Sequence, residues 1–134
     1  MAEVFVLDTS AWLALDEAEP GAQEVEAISA DAWLGKAMAQ SNFATLAELE
    51  YIRTQEQDAQ QAAELLTFAK SQPVTWHHTD DALCSAAARL KAAHKLTFAD
   101  SFVAATALRL DGPKSCPSEA RWTFSTRLLF PCRA

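Results

Sequence analysis

Val4-Phe5-Val6-Leu7-Asp8-Thr9-Ser10-Ala11-Trp12-Leu13-Ala14-Leu15 is the stretch on which the fold turns. It opens with four apolar residues, three of them β-branched or aromatic, continues through one carboxylate and two hydroxyls, and ends in apolar residues at helical spacing. The apolar run predicts a strand covered on both faces, as parallel sheets require. Asp8 then stands at its carboxyl end, and the crevice beyond the strand ends is where open α/β sheets bind ligands. Taken alone, Asp8 or Thr9 reads first as the cap of the following helix. A chemical role for Asp8 depends on whether other acids join it.

Outward from this stretch, helical and strand patterns alternate. Ser10 to Leu15 is a short helix, broken at Glu19-Pro20-Gly21, with Pro20 suited to the first position of a second helix carrying Val25 and Ile28. One short strand is expected within residues 32–39, ended by Ser41-Asn42. Leu46, Leu49 and Ile52, interleaved with Phe43, Ala47 and Tyr51, make a core helix of Phe43 to about Arg53. Asp58 to Lys70 is amphipathic and Pro73 stops it. Val74-Thr75-Trp76-His77-His78 is rich in strand formers, and Thr79 is placed to cap a helix whose buried stripe is Leu83, Ala86, Ala87 and Leu90. A last helix runs from Phe98 to about Leu110. The pattern predicts an α/β fold, a small three-layer sandwich with a mainly parallel central sheet.

With 134 residues, half of them hydrophobic, the chain is sized for a single core. Residues 1–110 carry the periodic pattern of a domain core; 111–134 form an atypical C-terminal segment, holding two of the three cysteines and three of the five prolines. An odd cysteine count, with neither a basic leader nor an apolar signal core at the start, predicts a reduced, cytoplasmic protein with free thiols. No apolar stretch approaches the roughly 18 residues that read as a membrane span. A net charge of −7 argues at first against nucleic acid. The charge is uneven, however: residues 1–64 carry thirteen acids and two bases, net −11, whereas residues 65–134 carry nine bases and five acids, net +4. Arg89, Lys91, Lys95 and Arg109 lie in that second half and are candidates for holding a phosphate backbone.

Two later segments carry acids in matching places. In Thr45-Leu46-Ala47-Glu48 and in Thr97-Phe98-Ala99-Asp100 a threonine precedes an acid by three at the start of an apolar helix. Each matches a capping box, which is the plain structural explanation. Both acids nevertheless sit on or beside faces otherwise apolar or small, unusual company for a solvated charge. If Asp8, Glu48 and Asp100 share one crevice, three carboxylates raise one another's pKa unless a cation lies between them. An all-oxygen cluster favours Mg²⁺ or Mn²⁺. Such an ion supports in-line attack of water on a phosphodiester.

The segments VFVLDTSAWLAL, SNFATLAELEYI and LTFADSFVAATAL, in this order and spacing, resemble the motifs of the PIN-domain family and are most similar to VapC-type toxins. The resemblance covers residues 3 to about 110. It implies a PIN-like fold and a metal-dependent ribonuclease, the toxin of a toxin-antitoxin pair, with RNA as substrate, a cognate antitoxin as partner and a homodimeric state. Asp8, Glu48 and Asp100 match the family acids in turn, as metal ligands or as groups orienting water. Thr9 and Ser10 stand beside the first acid as supports, Ser10 matching the family's small hydroxyl residue. Glu50 and Asp81 fall on no family acid and are read as solvated helix charges. The fourth motif departs from the family pattern: the nearest match is Ser118-Glu119-Ala120-Arg121-Trp122, which makes Glu119 the candidate fourth acid and further metal ligand, with Asp111 a weaker substitute. That departure motivates a second reading, a catalytically degenerate PIN domain acting as a protein-binding module.

Other features point to structure. Neighbouring His77 and His78 on a strand face opposite ways and are read as a polar strand end. The cysteines lack zinc-site spacing. Trp12, Trp33 and Trp76 are read as core or interface residues.

Overall fold

The computed structural model describes residues 3–111 and 128–129. The buried run behaves as expected: Phe5, Val6 and Leu7 lie in β1 (Glu3–Leu7) and are all buried. β1 pairs in parallel with β2 (Ala37–Asn42), Val6 opposite Gln40, and β2 pairs in parallel with β3 (Val74–His77), Asn42 opposite His77. The carboxyl ends of all three parallel strands therefore line up at one edge. A short β4 (Leu128–Leu129), which the sequence pattern did not announce, pairs antiparallel with the end of β1 and completes the order β3-β2-β1-β4.

Among the described residues, six helices cover the sheet: α1 (Thr9–Glu17), α2 (Ala22–Trp33), α3 (Phe43–Glu56), α4 (Ala59–Ser71), α5 (Asp81–Ala93) and α6 (Phe98–Asp111). Alternation along β1 decides which helices go where. Phe5 and Leu7, with Ala37 and Ala39, face the larger core of Trp12, Val25, Ile28, Leu49, Leu65 and Ala69, drawn from α1 to α4. Val6 points the other way, onto Val103 and Ala107 of α6. Beside that contact, Ala44, Leu83, Ala87, Phe102 and Ala105 knit α3, α5 and α6 together. Full burial of one such side chain as Leu49, on the order of 2 kcal/mol, is what holds each helix down. This is the three-layer α/β arrangement with a mainly parallel sheet.

Local chemistry moved several boundaries. α2 starts at Ala22 behind Gly21, whose φ of 100° is glycine territory, so Pro20 lies in the preceding turn and not at the first helical position. The same helix absorbs Ala32 and Trp33, and the strand begins only at Ala37, after a turn through Gly35 at φ 73°. Asp80, not Thr79, caps α5, its Oδ1 accepting the Leu83 amide at 2.8 Å; an Asp next to the helix outcompetes the hydroxyl before it. Trp12 and Trp76 stack at 5.3 Å, whereas Trp33 is 67% exposed and contributes to no core. Among the described residues, no helix is long and apolar enough to cross a membrane.

Candidate carboxylate site at the strand ends

Asp8 follows β1 with its backbone still extended, at φ −89° and ψ 176°, and is 1% exposed. Its Oδ1 accepts the Ala11 amide at 3.0 Å, so the residue does cap α1. Capping holds the carboxylate at the strand end. Thr9 is buried and Ser10 half-buried in the first turn of the helix so capped.

Glu48 has a different setting from the one its sequence context predicts. Asn42, not Thr45, caps α3: its Oδ1 accepts the Thr45 amide at 3.0 Å. Thr45 is thus already inside the helix and Glu48 lies a turn further on, so the box at Thr45 to Glu48 does not form. The short amide of Asn42, arriving in extended backbone from β2, reaches the orphan amide first. Glu48 is half-buried on the face it shares with Ala44 and Thr45. Ala44 packs with Phe102 and Ala105, which turns this face toward α6. The Thr45 hydroxyl is buried with no hydrogen-bond partner among the described residues.

At α6 the capping expectation holds in part, the Thr97 hydroxyl accepting the Asp100 amide at 3.1 Å. Asp100 is half-buried in the first turn, on the same face as Val103, Ala104 and Ala107. Val103 and Ala107 pack on Val6, and Asp8 lies two residues beyond Val6 in extended backbone. Neither the Glu48 nor the Asp100 carboxylate has a hydrogen-bond or ion-pair partner among the described residues. The three acids are thus carried by elements that pack on one another, Asp8 after β1, Glu48 on α3 and Asp100 in the first turn of α6. They are not packed into a closed cage: among the described residues, no three His, Cys, Asp or Glu side chains stand close enough to hold a metal ion by themselves. Glu119 lies outside the described residues. Asp111 is the last residue of α6, eleven residues past Asp100 in the chain.

The donor set is carboxylate oxygen alone, which suits a hard divalent cation. Mg²⁺ in particular is held by one or two carboxylates with water completing its shell, and this arrangement can supply that number.

Several polar residues around this region have structural partners. His77 hydrogen-bonds Gln40 across β3 and β2, and burial, with the nearby Arg109 cation, holds its pKa below the ordinary histidine value. His78 lies just past the end of β3 and is exposed. Arg109, a candidate phosphate contact, is paired with Asp80 at 2.8 Å. The Leu83 amide, helped by Arg109 and opposed by burial, keeps the Asp80 carboxyl below its usual range. Arg89, Lys91 and Lys95 are exposed, as are Glu50 and Asp81; Lys91 donates to the Leu96 carbonyl at 3.0 Å.

The residues that sequence reasoning missed are Ser41 and Asn42, read there only as the end of a strand. Both are fully buried. Ser41 Oγ donates to the Leu7 carbonyl at 2.8 Å, and Asn42 Nδ2 to Thr106 Oγ1 at 3.4 Å. The available signal was Asn42 immediately before an apolar helix, a cap signature.

Comparison with curated proteins gives no match. Among solved structures, Mycobacterium tuberculosis VapC20, described as a sarcin-ricin loop cleaving toxin, is similar in fold, with a TM-score of 0.60 and 20% identity, covering 77% of this chain and 79% of that one. The PIN domain model matches residues 5–114, which takes in Phe5 to Leu7 of β1 together with Asp8, Glu48 and Asp100, and the chain belongs to the PIN domain family.

Proposed function

We propose that this protein is a metal-dependent endoribonuclease that hydrolyses RNA phosphodiester bonds and serves as the toxin of a toxin-antitoxin pair. The reading is supported by membership of the PIN family together with the packing of the elements that carry the acids, Val103 and Ala107 of α6 against Val6 of β1 and Ala44 of α3 against Phe102 and Ala105 of α6. Asp8, Glu48 and Asp100 hold Mg²⁺ or Mn²⁺ directly or through water, with Glu119 the fourth acid of the set. The cation supplies Lewis acidity toward phosphate and water. Asp8 is oriented by its bond to the Ala11 amide, with Thr9 and Ser10 as its immediate supports. Glu48 and Asp100, unpartnered by the described protein groups, are available to accept hydrogen bonds from an attacking water. Arg89, Lys91 and Lys95 hold the RNA backbone, and Arg109 joins them only by leaving Asp80. VapC20, similar in fold, is described as cleaving the sarcin-ricin loop, which supports RNA as the substrate class.

The test is cleavage of RNA by the purified protein. Activity should vanish in EDTA, return with Mg²⁺ or Mn²⁺, and be absent from Asp100→Asn; undiminished cleavage by that variant would sink the reading. Co-expression with a VapB-type antitoxin candidate should yield a stable complex, and light scattering of the protein alone should give a dimer mass.

One observation favours a second reading, a degenerate PIN domain that binds proteins without cutting RNA: the described residues contain no group of three metal-ligating side chains. Calorimetric titration with Mn²⁺ separates the two. The enzyme requires a site filled by millimolar metal, and the binding module requires none.

A further inference from the structure

The three elements that carry the candidate acids are all tied to one buried dipeptide. Ser41 Oγ donates to the carbonyl of Leu7, the residue before Asp8, at 2.8 Å. Asn42 Oδ1 accepts the Thr45 amide at 3.0 Å and so starts the helix that carries Glu48. Asn42 Nδ2 donates to Thr106 Oγ1 at 3.4 Å, on the helix that begins beside Asp100, and Thr106 in turn donates to the Phe102 carbonyl at 2.8 Å.

The chemistry admits one orientation of this chain. The Thr45 amide needs an acceptor, so the carboxamide oxygen faces it and the amide nitrogen is left for Thr106. Thr106 gives its only proton to Phe102 and meets Asn42 with a lone pair. Ser41, Asn42, Thr45 and Thr106 are each 0% exposed, so bulk water is not at hand to replace a lost partner. Asn42 bonds both α3 and α6. Packing between them is apolar, by Phe43 on Phe102 at 5.1 Å and by Ala44 with Ala105, contacts that tolerate sliding. A directional bond between the helices fixes what those contacts leave loose.

From these contacts we propose that Asn42, with Ser41 beside it, is a positioning residue: it sets the separation of Glu48 and Asp100 and holds both against the end of β1. This rests on the proposal that those acids form the metal site. Asn42 touches no substrate and acts only through the elements it joins.

The experiment needs one measurement with metal and one without. In the full chain with Cys84, Cys116 and Cys132 replaced by serine, spin labels at Glu48→Cys and Asp100→Cys report the separation of the two positions by pulsed electron resonance. Asn42→Ser keeps the cap but is too short to reach Thr106; Thr106→Val removes the acceptor; Thr106→Ser retains it. The distance distribution should broaden in Asn42→Ser and in Thr106→Val and stay narrow in Thr106→Ser. In the unlabelled protein, Mn²⁺ affinity should fall about tenfold or more in the first two variants, no further in their double mutant, and recover in Thr106→Ser. Unchanged distance distributions overturn the proposal, as does broadening with Mn²⁺ affinity equal to the parent, which would leave Asn42 a purely structural tie. A parent protein that binds no Mn²⁺ and cuts no RNA defeats the nuclease reading instead, and the spin labels still decide whether Asn42 sets the separation.

Discussion

Arg53, in the last turn of α3, reaches back to Asp16 at the end of α1, its Nη1 2.8 Å from Oδ2, while Nη2 holds Glu17 at 3.1 Å. The arginine is 5% exposed and its two partners are partly open to water, so the pair lies between the surface and buried extremes. It ties α1, which starts at Asp8, to α3, which carries Glu48, at the ends away from the candidate site. Arg53→Met keeps most of the buried stem and frees two carboxylates that water can solvate, so it should cost about 1 to 2 kcal/mol. Arg53→Ala adds a cavity and should cost roughly 3 kcal/mol. Urea unfolding midpoints check both, and a midpoint unmoved by Arg53→Ala would show that the pair contributes nothing.

The proposed function gives Asp8 a second job beside its cap of α1. Asparagine caps a helix about as well as aspartate, so Asp8→Asn should keep stability within about 0.5 kcal/mol while removing the charge. If the site is as proposed, RNA cleavage by that variant should fall at least about 100-fold. Asp8→Ala removes the cap as well and should unfold about 1 kcal/mol more easily. Thermal melts beside cleavage rates distinguish the jobs; equal activity in Asp8→Asn and the parent would leave Asp8 a cap and nothing more.

How much of this was legible in the sequence follows from how local each signal is. Val4 to Leu7 announces its strand because burial on both faces admits no polar residue, and α3 to α6 announce themselves through apolar spacing. Caps are less legible because several hydroxyls and amides compete within one turn: Asn42 displaced Thr45 and Asp80 displaced Thr79, each decided by backbone direction at the helix entry. The acids themselves could be picked out, yet the packing of the elements that carry them could not, because it depends on Ala44 meeting Phe102 and Val103 meeting Val6 across more than fifty residues of chain. Ser41 and Asn42 escaped for the same reason. Their partners Leu7 and Thr106 are 34 and 64 residues away, and no periodicity records such a bond.

Glu48 offers a direct contrast with Asn42. Since Glu48 caps nothing and has no protein partner among the described residues, Glu48→Gln should change stability by no more than about 0.5 kcal/mol. Asn42→Ala, which strips the cap from α3 and leaves buried groups unpaired, should cost about 2 kcal/mol. Both variants should lose RNA cleavage. Chemical unfolding of the pair, run beside cleavage assays, tests this; a Glu48→Gln variant as unstable as Asn42→Ala would mean that Glu48 has a structural task.

His77 should make stability fall in mildly acidic solution. Burial and, secondarily, the Arg109 cation lower its folded pKa below the ordinary value of 6.5. Above that value the ring is neutral folded or unfolded and makes no difference. As pH drops from about 6.5, the unfolded chain takes up a proton that the folded chain resists, so stability is lost until the lowered folded pKa is passed. Asp80, also lowered, has the same sign but acts below about its ordinary value of 3.8, outside this window. Glu17, raised chiefly by its hydrogen bond with Glu19 and by burial, has the opposite sign and loses its contribution as pH rises above 4.5. The difference between the parent and His77→Gln therefore isolates the ring, because Gln can still pair with Gln40 and does not titrate. Melting temperatures taken from about pH 7.5 to 5 should converge for the two proteins at low pH if His77→Gln is slightly less stable at neutrality, and parallel curves across that range would mean that the ring titrates alike in both states.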